Sequence, residues 1–558
     1  MFRFPVAIWA FWLAAAPAGG LAPRAAARCR GGPLCARRGN TAAIIAERFL
    51  DTLEDVALHA SRQSREKPGE VDVLRGSWAT SDDLRPRVLV LGSGWAAHAL
   101  VKIIDTNRYR VLVVSPRPFF VFTPKPPAML TSTAVGTVEY RSVCEPIRAS
   151  NPLAGFLEGS CTAVHPESKS VDVELKSCEA NETVKVAYDT LVYACGVGVA
   201  DFGVPGVLER CHFVKEIADA QKLRRAIAQA LETALSPALN STEARKRCLS
   251  FVVVGGGATG VELAAELADF VRDAVARVYP QLKPLVSITL LHAGGELLPQ
   301  FDAGLRGEAK AALEAAGITV RLKTRAKQVN ADSVDLSDGT SIPCGVCVWS
   351  AGTAPRPLTQ QLVAACGEAQ ADAKACGGAP YGKVAVDDWL RVVGAEGILA
   401  LGDAAAVADE DSEECVAAGA ERRMLPQTAQ CAAQQGAYAA RLLNRGYDIT
   451  ADAPTFRDPG AVDKALLPLV SKLRGVEDPY EAPPFRFLNL GILAYTGGGR
   501  AISQVQVGDD VVIKQAGSIG FLLWRSVYLA KQVATRNRVL VAFDWLKSAA
   551  FGRDVTKL

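Results

Sequence analysis

Two glycine-rich turns carry the clearest chemical signal in this sequence. The first runs from Gly92 to Ala97 (GSGWAA, the pattern G-x-G-x-x-A) and the second from Gly255 to Gly260 (GGGATG, the pattern G-x-G-x-x-G). In such turns the first glycine makes the bend, the second lets a pyrophosphate approach the backbone, and the third position allows close packing of helix on strand. The free N–H groups of the following helix then bind the phosphates. Two such turns in one chain predict two dinucleotide sites.

Each turn lies where a strand ends and a helix begins. The stretch RPRVLVLGSGWAAHALVKIIDTNRYRVLVVSPR, which starts at Arg85, has the pattern of strand, turn, helix and strand. A second stretch of this kind starts at Arg247 and includes CLSFVVVGG and VSITLLHAG. Each is a βαβ unit, which requires a parallel sheet and a right-handed crossover. The predicted fold class is therefore α/β, with two Rossmann-type dinucleotide-binding domains.

The order of the turns indicates which ligand each one binds. Gly255 follows Gly92 by 163 residues (255 − 92), and the motif LALGDAA begins much later, at Leu399. This layout resembles the flavoproteins that bind two dinucleotides, with FAD at the first turn and NAD(P)H at the second. By that resemblance Asp403, in the late motif, binds the ribityl chain of FAD; the alternative is that it only caps its own helix. Hydride transfer from nicotinamide to flavin would make the chain an oxidoreductase.

The bulk composition excludes several other classes of protein. Of the 558 residues 49% are hydrophobic and 22% are charged, an ordinary globular balance with room for two to four domains. The net charge of +3 does not favour nucleic-acid binding. Fourteen scattered cysteines are typical of buried thiols in a reducing compartment. We expect neither a metal site nor a nucleic-acid partner.

The first 46 residues resemble a targeting leader. They contain six arginines and no Asp, Glu or Lys, and an apolar stretch of 11 residues runs from Val6 to Ala16. That stretch is too short to span a bilayer, but it fits the core of a signal peptide, and the Arg-rich part after it resembles a transit peptide. A transit peptide alone would address the mitochondrion, whereas a signal followed by a transit segment would address a plastid. We expect no transmembrane helix, since no later window holds 18 uninterrupted apolar residues, and hence no proton pumping.

The cysteine pattern argues against a disulfide as the electron acceptor. Disulfide reductases of this layout carry a redox pair soon after the first glycine turn, but residues 92–143 contain no cysteine. Cys344 and Cys347 form a C-x-x-C pair within a strand-like run, not at a helix N-terminus where a thiolate would be stabilised. We interpret them as buried core thiols.

Four other stretches point to a quinone. FFVFTPKPPAML, STAVGTVEYRSVCEPIRA, PQTAQCAAQQGAYAARLL and WRSVYLAKQVATRNRVLVAFDWLKSAAFGRD together resemble the type II (alternative, rotenone-insensitive) NAD(P)H:quinone oxidoreductases, particularly the plant-like members. The resemblance covers roughly residues 85–558. It implies a non-proton-pumping NADH dehydrogenase that passes hydride from NAD(P)H to FAD and two electrons on to ubiquinone or plastoquinone. It also implies that Gln434 and Gln435 lie between flavin and quinone, although read alone the stretch is only an alanine-rich helix.

The site residues follow from the motifs and from this resemblance. The residues expected to contact FAD are Gly92, Gly94, Trp95, Ala97, Thr123, Pro124, Asp403, Ala429 and Gln430. Those expected to contact NAD(P)H are Gly255, Gly257, Thr259, Gly260, His292 and Gly352. Glu262, Gln434 and Gln435 are the predicted catalytic residues.

Glu262 lies two residues after Gly260, in what we expect to be the first turn of the second helix. The resemblance places this glutamate where nicotinamide meets flavin, within reach of quinone protonation. The alternative is a carboxylate that only complements the positive end of the helix dipole.

His292 stands at the end of the second strand of the second unit, where an acid usually binds the ribose 2′-OH of NAD. A neutral or cationic side chain would not repel a 2′-phosphate, so we expect some use of NADPH beside NADH. The alternative is a solvated histidine at a strand end. The flavin unit also lacks this acid, because its second strand ends in Ser115-Pro116.

The C-terminal stretch is the predicted membrane contact. From Gly517 onward there are seven Lys or Arg and two Asp, interleaved with Trp524, Tyr528, Phe543 and Trp545. Basic, apolar helices with such aromatics lie in the headgroup plane of a bilayer. The alternative is a helix pair packed on its own domain or in a homodimer, and both arrangements can hold together.

These expectations divide the chain into five segments. They are a leader and flexible tail (1–82), the first part of an FAD domain (83–215), an NAD(P)H domain (216–355), the second FAD part with the quinone-side helix (356–480), and an amphipathic helical membrane-binding or dimerisation segment (481–558). The protein would sit peripherally on the mitochondrial inner membrane or in a plastid. The rival functions are a ferredoxin or disulfide reductase of similar architecture and a nucleotide-sensing redox binder.

Overall fold

The computed structural model describes residues 51, 55, 78, 83–123, 128–176, 181–375, 382–408, 424–456, 480–507, 510–532 and 534–556. The predicted leader and Pro124 therefore lie outside the described residues, apart from three isolated positions before residue 83. Residues 1–66 and 455–483 form one compact unit, and residues 67–454 and 484–558 form another. In the first unit, Thr455 pairs with Glu481 in an isolated antiparallel bridge. Apart from strand β23 (Thr455–Phe456), everything that follows concerns the second unit.

The first glycine turn follows a central strand of a seven-stranded sheet. Its order is β20-β8-β1-β2-β5-β6-β7; the first five strands run parallel, and β5, β6 and β7 form an antiparallel meander. The strands are β1 (Arg87–Leu91), β2 (Arg110–Ser115), β5 (Gly155–His165), β6 (Ser170–Lys176), β7 (Asn181–Ala187), β8 (Thr190–Tyr193) and β20 (Ile398–Ala400). Because β20 comes from far along the chain, the segment after residue 356 returns to this sheet, as the layout predicted.

The second glycine turn follows the central strand of a five-stranded parallel sheet of order β10-β17-β11-β12-β13. Its strands are β10 (Cys211–His212), β11 (Ser250–Val254), β12 (Ser287–Leu291), β13 (Ile318–Arg321) and β17 (Val346–Trp349). Every residue of β11 is buried, as expected for a central strand covered on both faces. The two sheets confirm the two predicted Rossmann-type domains. The second sheet begins at Cys211, slightly before the predicted boundary at 216.

Small sheets join and extend these domains. β9 pairs with β18 between the two domains, β14, β15 and β16 form a meander, and β24, β25 and β26 form an antiparallel sheet in the C-terminal segment. The segment after residue 481 therefore begins with a sheet, and the helices expected in the C-terminal tail follow from Gly517. The strands are β3 (Phe119–Val121), β4 (Cys144–Pro146), β9 (Val197–Val199), β14 (Ala326–Val329), β15 (Ser333–Leu336), β16 (Ser341–Pro343), β18 (Thr353–Pro355), β19 (Val384–Ala385), β21 (Ala405–Ala406), β22 (Tyr447–Asp448), β23 (Thr455–Phe456), β24 (Ile492–Gly497), β25 (Arg500–Val507) and β26 (Asp510–Gln515).

The helices cover the faces of the sheets and build the C-terminal end. They are α1 (Trp95–Ile103), α2 (Ala128–Ala134), α3 (Ile147–Ser150), α4 (Val207–Arg210), α5 (Ile217–Leu235), α6 (Thr242–Cys248), α7 (Ala258–Phe270), α8 (Ala276–Val278), α9 (Ala303–Ala315), α10 (Pro357–Ala365), α11 (Glu368–Ala375), α12 (Ala429–Asn444), α13 (Gly517–Ala530) and α14 (Thr535–Phe551). Among the residues described, no helix combines the length and the apolar character needed to cross a bilayer.

Candidate active site

The two glycine turns have the same geometry. Gly92 has φ +109° and Gly255 has φ +124°, values that L side chains rarely adopt. A Cβ at Gly92 would lie 2.5 Å from the carbonyl oxygen of Ala194 on the neighbouring strand. At Gly94 and Gly257, in contrast, an added Cβ would meet no described atom within 4 Å. The chain is therefore tight where the bend is made and open where a pyrophosphate would approach.

A single cavity of about 670 Å³ runs from the first turn to the helix after the second turn. It opens at the carboxyl ends of β1 and β8, where the strand order reverses, which is the usual ligand position in such sheets. The predicted cofactor residues that line it are Gly92, Gly94, Trp95, Thr123, Thr259, Gly352, Asp403 and Ala429. Those that do not line it are Ala97, Gly255, Gly257, Gly260, His292 and Gln430.

The cavity fits a dinucleotide. Helix α1 starts after Gly94 and helix α7 starts after Gly257, and a glycine has no side chain with which to cap the first N–H groups. Both helices therefore present free N–H groups and the positive end of the dipole, which suits a pyrophosphate. Asp403 lies in a 3-10 turn at the cavity wall. These residues could hold FAD at α1 and a nicotinamide dinucleotide at α7.

Trp95 is fixed behind the first turn by an aromatic cluster. Its Nε1 donates a hydrogen bond to the carbonyl oxygen of Thr123, at 3.1 Å. Its ring lies edge-on to Phe120, with centroids 5.0 Å apart, and tilted against Phe122 at 5.2 Å. The Trp95 side chain is therefore held in one orientation at the cavity wall.

The glutamines of α12 bind backbone groups of this chain. Gln435 is buried, and its Oε1 accepts a hydrogen bond of 2.6 Å from the N–H of Gly402. Gln430 and Gln434 both donate to the carbonyl oxygen of Leu488, and Gln434 also accepts from the Leu488 N–H at 3.0 Å. Gln435 therefore supports the turn before Asp403. The expected place of Gln434 and Gln435 between flavin and quinone stays a prediction.

Glu262 lies deeper than we expected. Helix α7 begins at Ala258, so this residue is in the second turn, not the first, and its exposed fraction is 0%. Its Oε1 accepts a hydrogen bond from the Tyr495 N–H at 2.9 Å. Within the described part of the chain, neither its Oε2 nor the indole Nε1 of Trp524 has a hydrogen-bond partner. Complementing the helix dipole is therefore not its role.

Burial raises the pKa of Glu262 well above the ordinary value of 4.5. The hydrogen bond from the Tyr495 backbone opposes this effect, and the neighbouring Glu266 adds to it. Glu262 is consequently a neutral acid over a range of pH in which an exposed glutamate is ionised. Glu262 does not line the cavity itself, but it lies about one helical turn after Thr259, which does. A buried acid with a raised pKa near such a cavity is a candidate proton donor.

The C-terminal segment completes the surroundings of α7. The Glu266 carboxylate accepts hydrogen bonds of 2.6 Å from Ser132 Oγ and from the Arg553 guanidinium. Asp269, one turn further on, accepts from the Tyr495 hydroxyl and from the N–H of Gly498. Three successive acidic residues on one face of α7 are thus buried by groups from beyond residue 490.

The aromatic residues that we expected at a membrane surface are divided between two environments. Trp524 and Tyr528 are both only 3% exposed and stack on each other, with ring centroids 4.4 Å apart. Trp545 is half-buried against the guanidinium of Arg525. Trp524 and Tyr528 therefore do not face a membrane, because both rings are buried and Trp524 packs against Tyr495 of β24, with ring centroids 5.6 Å apart.

A set of large apolar side chains on α13 and α14 is exposed, and it includes Phe543, one of the aromatic residues expected at the membrane. Each is more than three-fifths exposed although it is large and apolar, and we call this set the apolar ridge. Its members are Ile519, Leu522, Val539, Phe543, Leu546 and Phe551.

His292 follows β12 directly and is tied to the second glycine turn. Its Nδ1 accepts a hydrogen bond of 3.1 Å from the N–H of Gly256, so Nε2 carries the proton in the neutral ring. Burial lowers the pKa of His292, opposed by a hydrogen bond to the Glu296 backbone. The side chain is thus a neutral, positioned group, not a freely solvated one.

The C-x-x-C cysteines are buried, as we expected. Cys344 and Cys347 carry no disulfide, and the Sγ atoms of Cys347 and Cys211 are 3.3 Å apart across adjacent strands. Hydrogen bonds with the other two thiols, together with burial, raise the pKa of Cys347. Over the residues described, no group of three or more His, Cys, Asp or Glu could hold a metal ion.

Sequence reasoning missed six charged or thiol side chains of the cavity, and none of them belongs to a recognised motif. They are Arg117, Cys161, Cys195, Lys215, Glu216 and Arg356. One signal was available: because the strand ends in Ser115 where an acid is usual, a carboxylate from another segment could have been expected.

Two family models match the chain. Residues 86–436 match the pyridine nucleotide-disulphide oxidoreductases, and residues 489–554 match the NDH2 C-terminal domain. Among solved structures, NDH2 from Plasmodium falciparum in complex with NADH superposes with a TM-score of 0.71 at 24% identity, covering 85% of this chain and 100% of that one. That likeness supports the fold.

Curated relatives extend over most of the chain. An internal alternative NAD(P)H-ubiquinone oxidoreductase A1, mitochondrial, from Solanum tuberosum is 34% identical over 87% of this chain and 91% of its own length. A probable NADH dehydrogenase from Dictyostelium discoideum is 35% identical over 84% and 91%. An external alternative NAD(P)H-ubiquinone oxidoreductase B3, mitochondrial, from Arabidopsis thaliana is 33% identical over 85% and 90%. With its two Rossmann domains and its NDH2-type C-terminal segment, the chain belongs to the alternative, or type II, NAD(P)H:quinone oxidoreductases.

Proposed function

We propose that this chain is a non-proton-pumping NADH dehydrogenase that binds FAD at the first glycine turn, takes hydride from NAD(P)H at the second turn, and reduces a membrane quinone. The observation that carries this proposal is the continuity of one cavity from Gly92 to Thr259. Two dinucleotides bound at the two ends of such a cavity meet within it. When bound, FAD accepts the hydride and gives up two electrons.

The residues of this chain bind and orient the two nucleotides. The helix N-termini after Gly94 and Gly257 bind the two pyrophosphates. Asp403 is positioned by its turn, and Gln435 holds that turn through the Gly402 N–H. The aromatic cluster around Trp95 holds that side chain in one orientation at the cavity wall.

Glu262 holds a proton close to the cavity. Since its Oε1 accepts from the Tyr495 N–H, the proton of the neutral acid resides on Oε2. Reducing a quinone to a quinol takes up two electrons and two protons, of which the hydride brings one. We assign delivery of the other to Glu262, which its complete burial keeps protonated.

The apolar ridge is the proposed contact with lipid. Six large apolar side chains lie exposed on two neighbouring helices, and the segment from Gly517 carries seven Lys or Arg against two Asp. Apolar side chains with surrounding cations bind the interface of an anionic bilayer without crossing it. A quinone with a lipid tail would be reached from this side.

We place the protein peripherally on the mitochondrial inner membrane with ubiquinone as acceptor. Several relatives are named mitochondrial and ubiquinone-reducing, and the Arg-rich leader is compatible with this address. We also propose a homodimer through the C-terminal segment. Localising a tagged precursor and measuring the mass of the purified protein by light scattering test these two points.

The activity is tested with purified protein. We expect a yellow protein whose visible spectrum is that of bound FAD, and which oxidises NADH with a short-chain quinone but not with a disulfide substrate or ferredoxin. A colourless protein that cannot be reconstituted with FAD would refute the proposal. Turnover with the disulfide but not with quinone would move the chain to the disulfide reductases, and NADH binding without turnover would make it a redox sensor.

A further inference from the structure

Three charged side chains from three separate segments meet at the wall of the cavity. Arg117 follows β2, Glu216 precedes α5, and Arg356 precedes α10. An Arg117 guanidinium nitrogen is 3.0 Å from Oε2 of Glu216, and an Arg356 nitrogen is 3.6 Å from Oε1. All three side chains line the cavity and are between 29% and 41% exposed.

Each member of this group is anchored at its base. The backbone N–H of Arg117 donates to Ser115 Oγ at 3.2 Å, and Nε of Arg356 donates to the carbonyl oxygen of Cys195 at 2.9 Å. The backbone N–H of Glu216 donates to Asp219 Oδ2 at 2.9 Å. The group is therefore a built feature and not a chance encounter of long side chains.

The group also lies where the first domain lacks an acid. A Rossmann unit usually ends its second strand with a carboxylate that binds the ribose hydroxyls of the adenosine. Here β2 ends at Ser115, whose hydroxyl bonds to that of Ser93 at 3.0 Å. Among the described residues that line the cavity, the carboxylates are Glu216 and Asp403. Of these, Glu216 is the one held beside the end of β2, through Arg117.

We propose that Arg117, Glu216 and Arg356 form an ionic clasp that retains FAD, and that Glu216 supplies the ribose-binding carboxylate that β2 lacks. The Glu216 carboxylate also caps α5 by accepting from the backbone N–H of Asp219. A carboxylate has about four acceptor positions, so two arginines and this N–H leave room for one ribose hydroxyl. The arginines position the carboxylate; Glu216 makes the contact. This inference rests on the proposed binding of FAD at the first glycine turn.

The inference can be tested by the direction in which FAD affinity changes when Glu216 is neutralised. Net charge alone predicts tighter binding, whereas a ribose contact predicts weaker binding. The clasp carries a net charge of +1, from two arginines and one glutamate. Neutralising the glutamate would raise it to +2 and strengthen its attraction for the FAD pyrophosphate. If Glu216 contacts the ribose and fixes the clasp, however, Glu216→Gln must weaken FAD binding.

The experiment measures FAD binding to the full-length protein after reversible removal of the flavin, from the quenching of flavin fluorescence. We expect Glu216→Gln to raise the dissociation constant about tenfold, the effect of losing one hydrogen bond to a charged group. Glu232→Gln, on the same helix and with the same change of charge, is the control, because its carboxylate bonds to Tyr279 away from the cavity. It should bind FAD as the wild type does.

Arg117→Gln gives a second, independent reading if Glu216→Gln folds poorly. It should weaken FAD binding in the same direction, and the double variant should lose less than the sum of the two effects. Unchanged or tighter FAD binding in Glu216→Gln would overturn the clasp, as would an equal loss in Glu232→Gln. A wild-type protein that binds no FAD would instead refute the proposed function, so the two failures are distinguishable.

Discussion

Replacing Glu262 by glutamine tests the proposed proton donor most directly. Glutamine keeps the shape of the side chain and an acceptor for the Tyr495 N–H, so the protein should fold and keep its flavin. A positioned general acid contributes roughly 10²–10⁴-fold to rate, and we expect quinone reduction to slow by at least about 100-fold. Reduction of the flavin by NADH should keep its rate, because that step needs no proton from Glu262.

The raised pKa of Glu262 adds a prediction about stability. Between its ordinary value of 4.5 and its raised value, the folded protein holds one proton more at this residue than the unfolded chain. Unfolding then releases a proton, so the free energy of unfolding falls as pH rises, by about 1.4 kcal/mol per pH unit. In Glu262→Gln the side chain does not titrate, so the free energy of unfolding does not fall with pH for this reason. Its stability relative to the wild type should therefore increase by that amount per unit above pH 5, while Glu262 stays protonated.

Stopped-flow absorbance and urea unfolding check the two parts. Mixing oxidised enzyme with NADH follows flavin reduction, and mixing reduced enzyme with a short-chain quinone follows reoxidation. Urea titrations of both proteins at several pH values give the free energies. Wild-type reoxidation in the variant, or an equal slowing of both half-reactions, would refute the proton-donor role. Parallel stability profiles would show that Glu262 is ionised when folded.

Three further changes test other parts of the site. Leu522→Glu combined with Phe543→Glu should weaken sedimentation with anionic vesicles by more than about tenfold and leave turnover with a soluble quinone unchanged. The control Leu208→Glu, at another exposed leucine, should leave both sedimentation and turnover unchanged. Undiminished sedimentation of the double variant would exclude the apolar ridge as the membrane contact. His292→Glu should lower kcat/KM for NADPH relative to NADH by about tenfold or more, because a carboxylate repels the 2′-phosphate; an unchanged ratio of the two kcat/KM values would exclude His292 from nucleotide choice. Gln435→Ala leaves a backbone N–H beside the cavity without its acceptor, at a cost of about 1–3 kcal/mol, so FAD should dissociate faster; normal flavin retention with impaired quinone reduction would return Gln435 to the quinone site.

The features predicted correctly from the sequence are those whose signals are local. The turns at Gly92 and Gly255, the flanking strands and the returning motif at Asp403 each occupy a short stretch with a known physical requirement. The buried state of Cys344 and Cys347 also followed from their position in an apolar strand. Local patterns of this kind fixed the fold class and the ends of the cavity.

The errors concern contacts between distant segments. Periodicity marks Trp524 and Tyr528 as part of an amphipathic helix, but it cannot tell which face packs on a neighbour, and β24 was not recognised as a strand. Starting helix α7 two residues late placed Glu262 in the wrong turn. Glu216 carried no signal because its meeting with Arg117 depends on how two separate domains are arranged.

The pairing of Glu266 with Arg553 has a consequence for how the chain matures. The two residues are 287 positions apart, and burying a carboxylate without its cation is costly. The carboxylates on the acidic face of α7 can be fully buried and paired only after translation has passed residue 553. A nonsense codon between the end of α12 and that arginine should therefore give a polypeptide with both parallel sheets complete but with the acidic face of α7 uncovered, which quality-control proteases would recognise.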